Sequence, residues 1–133
     1  MSDITTQLQL PEAQLERIER DGDDITLYFS KTYLVQEMEG AFEDSLWTQA
    51  VNITISNCEI DGEPPACPCE LGGGDFTDNI YTYRNHVALP ISWRGDVGCM
   101  LNIRDSSESF AIRGDAIRSE QIGNPAYLKH ISK

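Results

Sequence analysis

The feature that most constrains this chain is an alternation of apolar and polar residues with a period of two. It recurs in four segments, and in each one β-branched, aliphatic or aromatic residues take every second position. Successive side chains of a strand point to opposite faces of a sheet, so this period is typical of strands with one buried face, whereas a helix needs a period of 3.6. The segments cover residues 25–30, 51–56, 87–93 and 97–104. We therefore predict an all-β fold.

Turn residues lie between the predicted strands. Asp21-Gly22-Asp23-Asp24 precedes the first segment and predicts a tight hairpin. Gly95-Asp96 predicts a second tight turn, between the third and fourth segments. A further strand over residues 109–113 then completes a three-stranded antiparallel meander in the last third of the chain. Pro90 indicates an edge position or a bulge, because proline has no N–H to donate to a neighbouring strand.

The end of the chain carries a helix signal. Asn124 is a suitable N-cap and Pro125 suits the first helical position, so residues 124–131 predict a short terminal helix. A length of 133 residues fits one domain, and residues 1–133 contain no internal repeat. We predict a single antiparallel barrel or sandwich, favouring the barrel, with the C-terminal meander and the short helix. Residues 1–12 are expected to be flexible.

Residues 62–74 break the strand pattern. Three prolines and four glycines lie among these 13 residues, which predicts a long irregular loop. Loops of this length in compact domains are usually functional or disordered. The segment contains Cys67 and Cys69, two of the four cysteines.

The acidic charge is concentrated in the first half of the chain. The formal net charge is −12. Residues 1–64 carry 14 acidic and three basic side chains, a net charge of −11, whereas residues 65–133 carry eight and seven, a net charge of −1. Nucleic acids and anionic membranes are expected to be excluded as partners, because both require a basic surface. The acidic half serves either solubility alone or binding of a basic protein.

The cysteines depend on the compartment for their interpretation. The sequence has no apolar run long enough for a secretion signal or a membrane span, which predicts a cytosolic protein. Thiols are reduced there, so we expect Cys58 and Cys99 to be small buried side chains. Cys67-Pro68-Cys69 is a candidate for thiol or metal chemistry, but the four cysteines lack the spacing of a structural zinc site. We therefore predict no cofactor and no metal site.

A group of aromatic and basic residues lies in the least acidic part of the chain. Tyrosine, tryptophan and arginine dominate binding hot spots, although most aromatic rings in β proteins belong to the core. The candidate surface consists of Tyr81, Tyr83, Arg84, His86, Trp93 and Arg94.

These observations leave three functional hypotheses. No catalytic residue can be identified, so the leading one is a non-catalytic cytosolic module that binds a basic partner through the acidic half. The alternative is a small-ligand-binding barrel or an enzyme with a cleft near residues 76–94. A third is a thiol or metal protein that uses Cys67 and Cys69. Exposed sheet edges leave a homodimer open.

Overall fold

The computed structural model describes residues 4–132, and within them all regular structure is β-strand. Nine strands form antiparallel pairs, which confirms the all-β prediction. In chain order they are β1 (Ile4–Asp21), β2 (Asp24–Met38), β3 (Glu43–Ser56), β4 (Glu59–Asp61), β5 (Cys69–Asp78), β6 (Tyr81–Arg84), β7 (His86–Leu89), β8 (Ser92–Ile103) and β9 (Ser109–Ser132). None of these residues belongs to a helix that could cross a membrane.

The strands form one sheet with the order β6-β5-β8-β9-β3-β2-β1-β7. The short strand β4 pairs with β9 outside this path. β1 also pairs with β5, with Gln14 opposite Glu70 and Leu15 opposite Cys69. Six strands therefore follow one another around a ring: β1, β2, β3, β9, β8 and β5.

The core lies on the face of the sheet that the sequence pattern identified. In all four alternating segments the apolar positions are buried, as in the series Ile25, Leu27 and Phe29, except that Trp93 and Ile103 are half-buried. The largest fully buried side chains are Phe29, Phe76, Phe110, Leu8, Leu10, Leu15, Ile25, Leu27, Leu34, Ile53, Ile55 and Leu71. Burial of this apolar surface is the main contribution to stability.

The first hairpin forms as predicted. Asp21 is opposite Asp24, and Gly22 has a φ of 64°. A two-residue turn of this kind needs positive φ, which glycine adopts without strain.

The predicted terminal helix is wrong, because residues 124–131 belong to β9. They lie beside the first part of β3, with Ala126 opposite Thr48 and Tyr127 opposite Trp47. Pairing with β3 provides partners for backbone groups that the predicted helix would have satisfied internally, and Pro125 is tolerated because that stretch borders only one strand. Tertiary pairing overrides the local capping signal.

The predicted turn at Gly95-Asp96 is also wrong, and with it the meander. β8 continues from Ser92 to Ile103, and Gly95, with a φ of 111°, lies in a bulge between Arg94 and Val97. β8 pairs with β9 as expected, but β7 pairs with β1. Pro90 lies between β7 and β8 and not inside a strand.

The glycine-rich segment is only partly a loop. Residues 62–68 are irregular, but residues 69–74, with all three consecutive glycines, belong to β5. At the amino terminus residues 4–12 belong to β1, and residues 1–3 lie outside the described part.

Candidate functional site

The six predicted surface residues are distributed over three strands. Tyr81, Tyr83 and Arg84 lie on β6, His86 on β7, and Trp93 and Arg94 on β8. Only Tyr83 and Trp93 are in contact through their rings, which stack with centroids 5.6 Å apart. The structure therefore brings two of the six candidates together.

Phe76 joins this pair from the core side. Its ring is fully buried and meets Trp93 edge-to-face, with centroids 6.4 Å apart. Tyr83 lies opposite Phe76 in the β5–β6 pair and keeps 38% of its surface exposed. The three rings thus extend the core outwards at the β6 edge, from the fully buried Phe76 through the half-buried Trp93 to the exposed Tyr83.

The charged candidates do not converge on a common point. Arg84 forms an exposed ion pair with Asp75, at 3.3 Å between Nε and Oδ1. His86 is exposed, and Arg94 contributes its backbone carbonyl to a contact with Asn79. No acid–base pair suited to catalysis forms among these side chains.

Asn79 is a structural residue that the sequence analysis missed. It is at the turn between β5 and β6, where its φ is 57°. Its side chain donates to the Arg94 carbonyl at 2.9 Å and accepts from the Asp96 amide at 3.1 Å. A Cβ on Gly95 would lie 2.3 Å from Asn79 Oδ1, so only glycine leaves room for this contact.

We expect Asn79→Ala to lower the free energy of unfolding by about 1–2 kcal/mol, because it removes these hydrogen bonds and strains a positive φ. Urea denaturation measures the loss, and faster hydrogen exchange of the Asp96 amide would locate it. Asn79→Gly is the control, since it removes the same hydrogen bonds but tolerates the φ, and it should be less destabilising. Equal stability of wild type and Asn79→Ala would contradict this role.

The outer face of the sheet beside these residues holds an open depression of about 300 Å³. Its lining includes Thr77, Thr82, Asp96 and Arg113, and Arg113 binds both carboxylate oxygens of Asp96 at 2.8 and 3.0 Å. Ligand sites are usually concave and mostly enclosed, with a few polar groups directed inwards. This depression instead has its main charges already paired with each other.

The four cysteines are free thiols and fall into two groups, Cys58 with Cys99 and Cys67 with Cys69. Cys58 and Cys99 are buried, and the Cys58 thiol donates to the Asp23 carbonyl at 3.2 Å. Burial, followed by the nearby Cys58 thiol, raises the pKa of Cys99 to about 12. Both side chains are buried, as predicted from the sequence.

Cys67 and Cys69 are half-buried and pack against the edge of the core. The Cys67 thiol donates to the Pro65 carbonyl at 3.7 Å. Burial raises the pKa of Cys69 to about 11, with further contributions from the charge of Cys67 and from a hydrogen bond between the two thiols. Over residues 4–132, no cluster of three or more histidine, cysteine, aspartate or glutamate side chains could hold a metal ion.

The acidic residues of the first half lie at several places, among them the hairpins that end the β1–β2 and β2–β3 pairs. At the β1–β2 hairpin Arg17 contacts Glu16 and Glu19, so carboxylates and guanidinium groups are mixed. The β2–β3 hairpin has Glu37, Glu39 and Glu43 on its two arms and turn, and within residues 4–132 these three form no ion pair.

The same β2–β3 hairpin exposes large apolar side chains. Phe42 is 96% exposed, and Met38 and its β1 neighbour Ile4 are 42% and 57% exposed. Beside them is a depression of about 230 Å³ whose lining includes Ala41 and Glu43. The sequence does show an aromatic residue, Phe42, among acidic residues just after Gly40. This signal was not decisive, because the segment 31–42 fits either a helical turn or a strand.

The exposed end of β9 has features that discourage edge-to-edge association. Beyond Arg118 its residues pair only with β3 in the described part of the chain. This stretch contains Pro125, Lys129 and an irregularity at Leu128, all of which oppose the addition of another strand. The homodimer stays a prediction.

Comparison with known proteins gives no match to a family model, a curated protein or a solved structure.

Proposed function

We propose that this protein is a non-catalytic interaction module that binds a basic protein partner through the β2–β3 hairpin. The observation that carries the proposal is the 96% exposure of Phe42 in a hairpin that also bears three carboxylates with no ion-pair partner among residues 4–132. Covering a fully exposed phenylalanine with a partner surface stabilises the complex. Aromatic residues are also typical anchors of protein interfaces.

The carboxylates supply the second part of the recognition. Glu37, Glu39 and Glu43 surround Phe42 in the sequence, and no lysine or arginine occurs between Lys31 and Arg84. Negative charges at the rim of an interface accelerate encounter with a positive surface and exclude acidic competitors. We infer a partner surface with an apolar recess flanked by lysine or arginine, in the cytosolic compartment that the sequence predicts.

The small-ligand or enzyme alternative near residues 76–94 has less support. We propose that the β1–β5 pairing closes the six-stranded ring into a barrel, and its interior is filled by buried side chains such as Phe29, Phe76 and Phe110. The depression lined by Trp93 and Arg94 holds only about 90 Å³, which is below the size of an ordinary ligand site. The larger depression beside Thr77 is open and has its charges paired.

The test compares affinity capture by the wild type with capture by hairpin variants. We expect a captured basic protein to bind Phe42→Ser at least about tenfold more weakly, since loss of an interface anchor costs about 2 kcal/mol or more. The triple variant Glu37→Gln, Glu39→Gln, Glu43→Gln should weaken binding at low salt and reduce its salt dependence. The measurement is the Kd of the purified pair at about 0.05 and about 0.5 M salt.

The β1–β2 hairpin provides the matched control. Asp21→Asn with Asp23→Asn removes two exposed carboxylates from a hairpin whose turn has no apolar side chain, and binding should be unchanged. If every captured protein binds Phe42→Ser and the triple variant as tightly as the wild type, the proposal is wrong. The same follows if the control variant weakens binding as much as the triple variant.

A further inference from the structure

We propose that a depression on the outer face of the sheet, where β3, β9 and β8 lie side by side, binds a phosphate group. Its charged and polar lining consists of Arg94, Arg118, Thr54, Ser56 and Ser92. Guanidinium groups and hydroxyls donate hydrogen bonds, and the fork of an arginine matches the oxygens of a phosphate. The site is separate from the β2–β3 hairpin, since none of the three hairpin carboxylates lines it.

The strand pairing brings the two arginines together. On β9, Arg118 is opposite both Thr54 of β3 and Ser92 of β8. Arg94 is opposite Ala116, two residues before Arg118, so the two arginines occupy diagonal positions on neighbouring strands. Diagonal neighbours lie about 7–8 Å apart, a separation that long side chains span. Ala116 lines the depression between them with only a methyl group.

The two guanidinium groups have no acidic partner among residues 4–132. Neither Arg94 nor Arg118 belongs to an ion pair there, although the chain has 22 acidic and only 10 basic side chains. Asp96, the acid closest to Arg94 in the sequence, has both carboxylate oxygens bound by Arg113. Glu120 follows Arg118 by two residues but does not line the depression. Two neighbouring cations repel each other, and an anion held between them is attracted to both.

The size of the depression selects a single phosphate group. Its volume is about 90 Å³. This equals about three water molecules at roughly 30 Å³ each, the scale of one tetrahedral oxyanion. Ordinary small-molecule sites measure about 300–1,000 Å³, so a whole nucleotide does not fit inside. Arg94 and Arg118 are exposed, so free phosphate and the phosphate of a phosphomonoester can both reach them.

The test titrates the full-length protein with inorganic phosphate at low ionic strength, because salt screens exposed charges. Binding is followed by the chemical shifts of backbone amides in NMR spectra, and we expect saturation at one phosphate per chain. Arg94→Gln and Arg118→Gln should each weaken binding about tenfold or more, since a hydrogen bond to a charged group contributes at least that factor. Ala116→Leu keeps both arginines but fills the depression, and it should abolish saturable binding. A thermal melt of each variant establishes that it is folded.

Arg104→Gln is the matched control. It also removes one positive charge, but Arg104 follows the far end of β8 and already pairs with Glu70, so phosphate binding should be unchanged. The proposal is overturned if the wild type shows no saturable binding, or if the folded Arg94, Arg118 and Ala116 variants bind phosphate like the wild type. It is also overturned if Arg104→Gln weakens binding as much as Arg94→Gln.

A parallel titration with phenyl phosphate distinguishes the two sources of the phosphate group. If phenyl phosphate binds at least as tightly as inorganic phosphate, the site takes a phosphomonoester whose organic part stays outside the depression. Weaker binding of phenyl phosphate assigns the site to free phosphate.

Discussion

Phe76→Ala is expected to lower the free energy of unfolding by about 3–5 kcal/mol, a large part of the stability of a domain of this size. Phe76 is fully buried on β5, and its ring supports Trp93, which in turn stacks on Tyr83. Alanine would leave a cavity that the surrounding strands cannot close, because hydrogen bonds to their neighbours hold them in place. Urea denaturation followed by tryptophan fluorescence measures the loss.

Tyr83→Ala is the control for this experiment. Tyr83 belongs to the same ring cluster but is 38% exposed at the β6 edge, so its removal should cost about 1 kcal/mol. A Phe76→Ala variant no less stable than Tyr83→Ala would show that the cluster is not anchored in the core. If the m value, the dependence of the free energy of unfolding on urea concentration, is unchanged in both variants, the difference in stability arises in the folded state.

The alternation in the sequence identifies only parts of the long strands, because bulges shift its phase. In β2 the buried positions are Ile25, Leu27 and Phe29, but beyond the irregularity at residues 30–31 they become Thr32 and Leu34. In β1 the register shift between Gln9 and Gln14 has the same effect. A bulge inserts one residue, so the apolar side chains stay on the same face of the sheet while the period of two in the sequence is interrupted. The all-β class was therefore predictable, whereas the lengths of the strands were not.

Other differences arise from contacts distant in sequence. The residues of the expected terminal helix pair with β3, some 80 positions earlier in the chain. The Asn79 side chain lies against Gly95 and accepts from the Asp96 amide, and this stretch forms a bulge where the sequence predicted a turn. Neither partner is visible from the local sequence.

The candidate site, like the fold, could be predicted only in part from the sequence. Aromatic and basic residue types directed attention to residues 81–94, of which Tyr83 and Trp93 do meet. Phe42 was missed because its importance comes from exposure, and a sequence pattern interprets a phenylalanine first as a core residue. The acidic first half was visible, but only the structure shows that Glu37, Glu39 and Glu43 share a hairpin with an exposed ring and form no ion pair among residues 4–132.

Gly98→Ala is expected to lower the free energy of unfolding by about 3 kcal/mol. A Cβ at this position of β8 would lie 2.2 Å from the Ile112 carbonyl oxygen and 3.1 Å from the Arg113 Cα, both backbone atoms of β9. A side-chain end could rotate away from such a contact, but here the β8–β9 pairing itself must shift. The free energy of unfolding from urea denaturation measures the effect.

Gly72→Ala separates this clash from the general effect of replacing a strand glycine. Gly72 lies in β5 without a positive φ, and the nearest atom to its added Cβ would be the Arg104 Cα at 3.5 Å, an ordinary contact. Alanine there restricts the unfolded chain and should stabilise the protein by about 0.4–1 kcal/mol. The two substitutions add the same methyl group, so opposite signs assign the loss at Gly98 to the close approach of β8 and β9. Equal effects at the two positions would mean that β8 and β9 can separate at Gly98 without loss of the fold.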